Sequence, residues 1–521
     1  MTTLSSRARR WFGQLSYHFD RLNVDVSGIF NVVARKESAI PHMFGVLTLY
    51  MSIGLVFPYL VAIYYHEDPR PWVFPILLCL IIGLMLLMRY RSPENTRPTE
   101  AMFIVATSWL VLMVMGAIPF VMYGMGVVDA LFETMSGFTT TGSTIMASIE
   151  SWPRSILFWR SFMQWLGGAG IIMIFVTVLP MLGVGGRNLF KNEFPGLDVQ
   201  NFSARIQEEA RKFHYIYGIL SLVMLVLLLF TGIGVFDSFC VVFSTMSTGG
   251  FSPHSESIAY YSSAAVESII ILFMFLAGTN FYLHFQAITA RDPKRYFRNT
   301  EFLVYACLVL IATAIITMVL WGDVYSDVFH GVRTSMFHVV SIMTSTGFAT
   351  YDYLSWDQAL VFILVALAII GGSTGSTAGG LKVARFFLAR EFIASALHKT
   401  VHPRSIYSVK IDGRPLSHEA LSSVVALIMC YMATALVAVV ALILLGIDPT
   451  TSFSAAIATL SNTGPGVGAI GPYGSFAWMP DAAKLVLIFT MWAGRLEFIS
   501  VLVLFTPVFW HELMRYREKY V

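Results

Sequence analysis

The sequence predicts an all-α polytopic membrane protein, made of four pseudo-symmetric helix–pore-loop–helix repeats plus an extra N-terminal helix pair. Three observations carry this. Of the 521 residues, 56% are hydrophobic and only 12% are charged, where a soluble domain carries about 25% charged residues. Apolar runs of spanning length recur along the chain. A hydroxyl-rich segment with a glycine occurs four times: Thr139-Thr140-Thr141-Gly142-Ser143, Ser247-Thr248-Gly249-Gly250-Phe251, Thr344-Ser345-Thr346-Gly347-Phe348 and Ser461-Asn462-Thr463-Gly464-Pro465. Their glycines lie 108, 97 and 117 residues apart. One copy would read as a Gly/Thr packing seam between helices; four at similar spacing read as a repeated unit.

Taken in order, residues 1–40 are polar to amphipathic, with Arg7, Arg9, Arg10, Arg21, Arg35 and Lys36. They are expected on the cytoplasmic side, partly as an interfacial helix. No apolar run follows until about residue 44, unlike a cleaved signal peptide. Residues 41–98 hold the extra pair, with apolar runs at about 44–64 and 72–88 and no glycine motif between them. The repeats follow at 99–200, 201–298, 299–412 and 413–521. Repeat 1 has a span at 101–123, a short helix at 129–138 and a second span at 156–182. Repeat 2 has a span at 214–235, a short helix from Asp237 and a second span at about 263–288. Repeat 3 has a span at 302–321, a short helix including 334–342 and a second span from near Gln358. Repeat 4 has a span at 421–445, a short helix at 450–460 and a last span at about 481–510. Each repeat crosses twice, so all four share one orientation.

Charge placement agrees. With both termini cytoplasmic and ten spans, 29 of the 34 Lys and Arg fall on the inner segments, leaving Arg70, Arg154, Arg160, Arg333 and Lys484. That asymmetry follows the positive-inside rule. The segment 382–415 is the most basic, a candidate docking surface, although topology signalling alone accounts for it. The net charge of +3 says little; no nucleic-acid partner is expected, and membrane lipid is the expected surrounding. Cys79, Cys240, Cys307 and Cys430 lie in apolar runs without CxxC spacing and read as small buried residues.

Each motif reads as a re-entrant loop, a short helix followed by an extended return. Extended backbone at membrane depth leaves carbonyls without helical partners, which is tolerated only where they are buried in protein or line a wet cavity. Small side chains let four such segments converge, so that carbonyl oxygens replace a cation's water shell and short-helix C-termini add negative potential. The repeats would then surround one ion pathway. The expected filter residues are Thr140, Thr141, Gly142, Thr248, Gly249, Gly250, Ser345, Thr346, Gly347, Asn462, Thr463 and Gly464.

Residues 370–380 interrupt the second span of repeat 3 with five Gly and four Ser/Thr: Gly371, Gly372, Ser373, Thr374, Gly375, Ser376, Thr377, Ala378, Gly379 and Gly380 follow Ile370. Helix here costs about 1 kcal/mol per glycine. The run reads as an unwound, mobile segment beneath the filter rather than a close-packed crossing, and it lacks the Gly-Lys-Ser/Thr ending of a P-loop. Arg495 lies near the middle of the last apolar stretch, where a charge costs about 2.5–3.5 kcal/mol, so it should face a polar cavity. Glu497, two residues on, cannot share its helix face and should be interfacial or interhelical. Asn280, His284 and Gln286 read as bonding across helices; His398 and His402 read as part of a cytoplasmic linker. Among Glu133, Asp237, Asp327 and Asp352, which could also concentrate cations at the mouth, most read as caps of short helices.

WRSFMQWLGGAG at 159–170, GGSTGSTAGGLKVAR at 371–385 and GRLEFISVLVLFTPVFW at 494–510 closely resemble the TrkH proteins of the Trk/Ktr/HKT superfamily of potassium transporters. The resemblance runs from about residue 40 and includes the extra helix pair. It implies potassium as the transported ion and no organic cofactor. It also implies a bacterial inner-membrane homodimer with one pathway per protomer, and a cytosolic TrkA-type ring of nucleotide-binding regulatory subunits. By the same resemblance the filter glycines are Gly142, Gly250, Gly347 and Gly464, residues 371–380 hold an intramembrane gate, and Arg495 sits below the filter facing it. A serine at the first glycine position accompanies sodium transport in plant relatives; here that position is Gly142. Gly249 breaks the hydroxyl row of the second motif, and Pro465 follows the fourth glycine. A symporter coupled to protons or sodium is the alternative. It would need an intramembrane carboxylate or histidine, and only Glu497 is central, so a channel-like mechanism is favoured. An enzyme would need a nucleophile with its base or a metal cluster, and no such pattern occurs.

Overall fold

Helices form where the apolar runs are long enough and stop where Gly, Pro or polar residues intervene. The computed structural model describes residues 38–91, 97–177, 202–322, 324, 327–402, 410–411, 414–415 and 418–514; the N-terminal segment through residue 37 and much of the basic 403–417 stretch lie outside them. The extra pair is α1 (Ala39–Tyr64) and α2 (Arg70–Arg89). Repeat 1 comprises α3 (Pro98–Met122), the short α4 (Val127–Phe138) and α5 (Arg154–Thr177). Repeat 2 comprises α6 (Phe202–Phe230), the short α7 (Val235–Met246), α8 (Ala264–Ala277) and α9 (Phe281–Thr289). Repeat 3 comprises α10 (Thr300–Leu320), the short α11 (Val328–Met343), α12 (Gln358–Ile370) and α13 (Val383–Val401). Repeat 4 comprises α14 (His418–Leu444), the short α15 (Pro449–Leu460), α16 (Asp481–Arg495) and α17 (Pro507–Met514). Among the described residues the architecture is all-α apart from a two-residue antiparallel pairing of Lys410–Ile411 with Arg414–Pro415.

Helices α1, α2, α3, α6, α10 and α14 are long and apolar enough to cross a membrane. The second helices of repeats 2 and 4 differ from the straight spans expected, while repeat 3 is interrupted as its glycine run predicts. α8 and α9, together long and apolar enough to cross a membrane, meet at a bend of 96°, because Gly278 ends α8 and the Asn280 side chain accepts from Tyr282 N to start α9. Residues 371–382 separate α12 from α13. After α16 the chain breaks at Glu497 and Phe498, both left-handed at φ 57° and 55°.

The repeats close into a ring. α5 packs on α6 and α7, α8 on α11, α12 on α15, and α16 returns to α4; α1 lies against α2, α3 and α5. Each second helix therefore covers the short helix of the next repeat. In lipid such packing rests on close approach rather than on hydrophobic burial. Gly167 and Gly168 of α5 supply that approach, since a Cβ there would strike the Phe138 backbone and Ser247 respectively. Two apolar clusters fill the ring, one joining repeats 1 and 4 with the extra pair, the other joining repeats 2 and 3. Of the cysteines, only Cys79 and Cys240 are buried; Cys307 is exposed and Cys430 half-buried, because α10 and α14 turn those faces outward, and all four are free thiols.

Candidate functional site

Each glycine motif caps the C-terminus of a short helix before it extends. Thr140, Thr248, Ser345 and Asn462 are left-handed, at φ 53°, 54°, 57° and 51°, and two residues later Gly142, Gly250, Gly347 and Gly464 are again left-handed, at φ 83°, 79°, 79° and 94°. The residue between donates its N–H back into the helix at 2.8 Å in all four cases: Thr141 to Ser136, Gly249 to Ser244, Thr346 to Ser341 and Thr463 to Ala458. This is a Schellman-type closure, with a non-glycine residue in the conformation that usually needs glycine. The motifs are thus not extended throughout, and part of each helix end's carbonyl charge is satisfied by its own loop.

The four loops meet in a closed circuit. A Cβ on Gly142 would strike Gly249 O; on Gly250, Thr346 O; on Gly347, Thr463 O; and on Gly464, Thr141 O, at 2.7 Å in that last case. In every case the carbonyl belongs to the residue just before the next loop's glycine, so bare glycine is required at all four positions. Ser143 Oγ donates to Gly464 O at 3.1 Å, and Asn462 Nδ2 to Thr141 Oγ1 at 2.9 Å, joining loop 4 to loop 1. Thr140 Oγ1, Thr463 Oγ1 and Asn462 Oδ1 are buried without a hydrogen-bond partner in the protein. A cavity of about 70 Å³ opens above the ring, lined by all four glycines, Ser143, Ser252 and Pro465 among others. The ring offers a cation uncharged oxygens; among the described residues no three His, Cys, Asp or Glu side chains gather to hold a metal.

A polar brace lies behind loops 1 and 2. Glu133 of α4 is fully buried and does not cap its helix as expected. Its carboxylate accepts from Ile145 N at 2.9 Å and from Thr144 Oγ1 at 3.0 Å, and pairs with Arg160 Nε of α5 at 2.7 Å. Arg160 also reaches Ser252 O at 3.3 Å and lies over the Phe251 ring. One turn on, Gln164 Nε2 donates to Gly249 O at 2.7 Å, and its Oε1 accepts from Phe251 N at 3.1 Å. Arg160 and Gln164 were not anticipated as residues of the site; the signal was their spacing, four apart on one face of an apolar span. Asp327 does cap a short helix, α11. Asp352 caps a 3-10 turn, and Asp237 pairs with His254 at 3.0 Å; their positions past the helix start or in the outer turns put them out of reach of a short-helix N-cap.

On the opposite side of the ring from the cavity, the 371–382 segment runs beneath the loops. Ser373 N donates to Gly278 O and Thr377 N to Ala277 O, while Phe281 N donates to Gly375 O, which ties the segment to the bend between α8 and α9. Thr377 Oγ1 donates to Met246 O at 3.1 Å, Gly379 N to Ser345 Oγ at 2.5 Å and Gly380 N to Ser461 O at 3.0 Å, so it touches the ends of short helices 2, 3 and 4. Thr374 N donates to Glu301 Oε1 at 2.6 Å. The segment's backbone is held by hydrogen bonds to its neighbours, as unwound backbone at this depth must be. Arg495 is buried. Its Nη1 donates to Thr377 O at 2.9 Å, and Nε and Nη2 have no partner. Glu497 pairs across elements with Arg385 at 2.6 Å.

The basic segment is less accessible than expected. Lys382 and Arg385 are buried, with Lys382 Nζ donating to Ala378 O, because both sit where the 371–382 segment re-enters helix rather than in a loop. His398 and His402 close the end of α13 instead of lying in a linker. Asn280 caps its own α9, and His284 bonds Leu276 O at 2.9 Å and Tyr296 at 2.7 Å, within repeat 2.

Comparison with known proteins agrees with this architecture. The family described as "TrkH: Cation transport protein" matches residues 73–512. The chain is 37% identical over 481 residues to the Trk system potassium uptake protein TrkH of Escherichia coli (strain K12), covering 91% of this chain and 99% of that protein. It is 35% identical over 475 residues to the protein of the same name from Vibrio parahaemolyticus, covering 89% and 98%. A crystal structure of the potassium transporter TrkH from Vibrio parahaemolyticus superposes with a TM-score of 0.83 at 34% identity, covering 91% of this chain and 99% of that one. A fourfold ring of glycine loops, an interrupted third repeat and a match of this length at this identity converge: the chain belongs to the TrkH family of cation transport proteins.

Proposed function

We propose that this chain is the membrane subunit of a bacterial potassium-uptake system. In this reading the four loops form one selectivity filter: residues 140–142, 248–250, 345–347 and 462–464. The observation that carries it is the closed circuit in which each loop glycine abuts the carbonyl before the next loop's glycine. That circuit brings uncharged oxygens from all four loops together, the chemistry that replaces a hydration shell around a cation. Residues 371–380 with Arg495 form the gate: the segment crosses the path under three short-helix ends, and a guanidinium with two unbonded nitrogens stands beside it. Conduction is channel-like. Among the described residues, the buried acid behind loops 1 and 2, Glu133, is paired with Arg160 and is not free to carry a coupling proton. The chain works as a homodimer in the inner membrane with its termini in the cytoplasm. A cytosolic nucleotide-binding ring biases the gate through α13, and does so only by binding the two gate states with different affinity.

The experiment is potassium and sodium flux into liposomes containing the purified chain, with and without an imposed proton gradient. Potassium flux that exceeds sodium flux and ignores the proton gradient is the expected result. Strict dependence on the gradient would replace channel-like conduction with symport, and equal flux of both ions would remove the filter reading.

A further inference from the structure

Three of the loops carry threonine immediately before the glycine, at Thr141, Thr346 and Thr463; the second carries Gly249. The structure shows what fills the gap. A Cβ placed on Gly249 would lie 2.6 Å from Gln164 Oε1 and 2.8 Å from Gln164 Nε2. The carboxamide of Gln164, reaching in from α5, occupies the space of the absent side chain. Once there it bonds both flanks of Gly250, donating to Gly249 O at 2.7 Å and accepting from Phe251 N at 3.1 Å. Gly249 O is one of the four circuit carbonyls. Among the described residues no side chain donates to the other three, Thr141 O, Thr346 O and Thr463 O. The ring is therefore fourfold in backbone but not in carbonyl strength.

We propose that Gln164 is a positioning residue for ion selection: it clamps loop 2 across Gly250 and fixes the direction and field of the Gly249 carbonyl. Gly249 is then no lapse in a hydroxyl row. It and Gln164 form a matched pair: the carboxamide fills the space that a threonine side chain takes in the other loops, and adds a bond to the carbonyl that no threonine there makes. A carbonyl has two lone pairs, so the amide leaves one for the ion. It also removes the freedom with which loop 2 could close around a smaller cation. The inference rests on the filter reading above.

The test is the potassium-to-sodium flux ratio of the full chain in liposomes. Gln164→Leu removes both bonds at similar volume, and Gln164→Met does so with an unbranched chain should leucine pack poorly. Both are expected to lower the ratio about tenfold, the scale of one lost hydrogen bond. Gly249→Thr alone collides with Gln164 and lowers the ratio too. Gly249→Thr with Gln164→Ala rebuilds the arrangement of the other loops, and is expected to recover most of the ratio lost in Gln164→Ala. Such recovery is a coupling that a merely structural role would not give. Unchanged ratios in Gln164→Leu and Gln164→Met, or additive effects in the double variant, overturn the inference. Gly250→Ser measured alongside separates the two readings: if it changes the ratio and the Gln164 variants do not, the filter stands and the clamp falls; if it does not, the filter itself falls.

Discussion

The level of the four glycines and the level of the helix breaks follow opposite rules. At the glycines the repeats are copies. The left-handed residues before them span only 51° to 57° in φ, and the closing N–H to O distance is 2.8 Å four times. At the breaks no two repeats agree. α5 runs through Gly167 and Gly168 without interruption, repeat 2 bends by 96°, repeat 3 leaves helix over residues 371–382, and repeat 4 breaks at Glu497 and Phe498. A site that surrounds one ion needs equivalent oxygens from every side, which holds four loops to one geometry. In the proposed reading, a segment that opens and shuts needs one element free to differ, and repeat 3 supplies it. On that reading the symmetric level selects and the asymmetric level controls.

The sharpest way to break that division is to remove what braces the symmetric level. Arg160→Leu leaves Glu133 buried without its cation, and breaking a buried pair costs about 3–5 kcal/mol. The expected result is a large fall in thermal unfolding temperature in detergent. Adding Glu133→Gln should restore part of it, because the uncompensated charge is then gone. A fall that Glu133→Gln does not relieve would assign Arg160 a packing role alone.

Next in size is the contrast between glycines of the two levels. Gly142→Ser puts a side chain into the Gly249 carbonyl at φ 83°, and should lower the potassium-to-sodium ratio about a hundredfold, the equivalent of about 2.7 kcal/mol. Gly375→Ser, at φ 70° against Asn280, should alter total flux and leave the ratio. Ratios that change in both variants would merge the two levels into one. Smaller again is Arg495→Ala, which removes a charge from beside Thr377. It should raise the flux of the chain alone about tenfold, by removing an electrostatic barrier of about 1.4 kcal/mol. A folded variant that conducts no faster would make Arg495 structural.

How much of this was legible depended on which level carried the signal. Short helix, glycine motif and Gly-rich interruption were readable because each is written in composition. The left-handed residues were not: Thr140, Ser345 and Asn462 look like ordinary residues of an extended return, and their φ is set by the helix end they close. Glu133 was misread because an acid in a short helix resembles a cap, whereas its partner Arg160 lies 27 residues away in sequence. Lys382 was misread because a lysine after an interrupted span resembles the start of a basic loop. One repeat signal was available and unused. Gly124, Gly232, Gly322 and Gly446 each lie two residues past the first helix of a repeat, with φ from 86° to 94°, as helix-ending glycines do.

The smallest effect tests where the symmetric level stops. The short helices start in two ways. α4 and α7 begin at Gly126 and Gly234 and carry their acid in the first turn, as Asp129 and Asp237. There Asp129 pairs with Lys484 at 2.5 Å and Asp237 with His254 at 3.0 Å. α11 and α15 begin at Asp327 and Asp448, whose own side chains accept from the helix. Repeats 1 and 2 thus use the acid to join elements, and repeats 3 and 4 use it to cap. Asp448 is exposed, and Thr451 N donates to its carboxylate at 2.8 Å; that bond holds the carboxyl below its ordinary value of 3.8. A carboxylate depressed in the folded state contributes stability above its ordinary pKa and loses it as pH falls through the folded value. Asp448→Ala should therefore lower stability by about 1 kcal/mol near neutral pH, seen as a shift of about 2 °C or less in thermal unfolding for a chain of this size. The difference should close as the pH is taken below the ordinary carboxylate range. Transport and its ion ratio should not change, because the ring begins thirteen residues on, at Ser461, past the far end of α15. A changed potassium-to-sodium ratio in Asp448→Ala would mean that the outer start of a short helix already belongs to the level that selects.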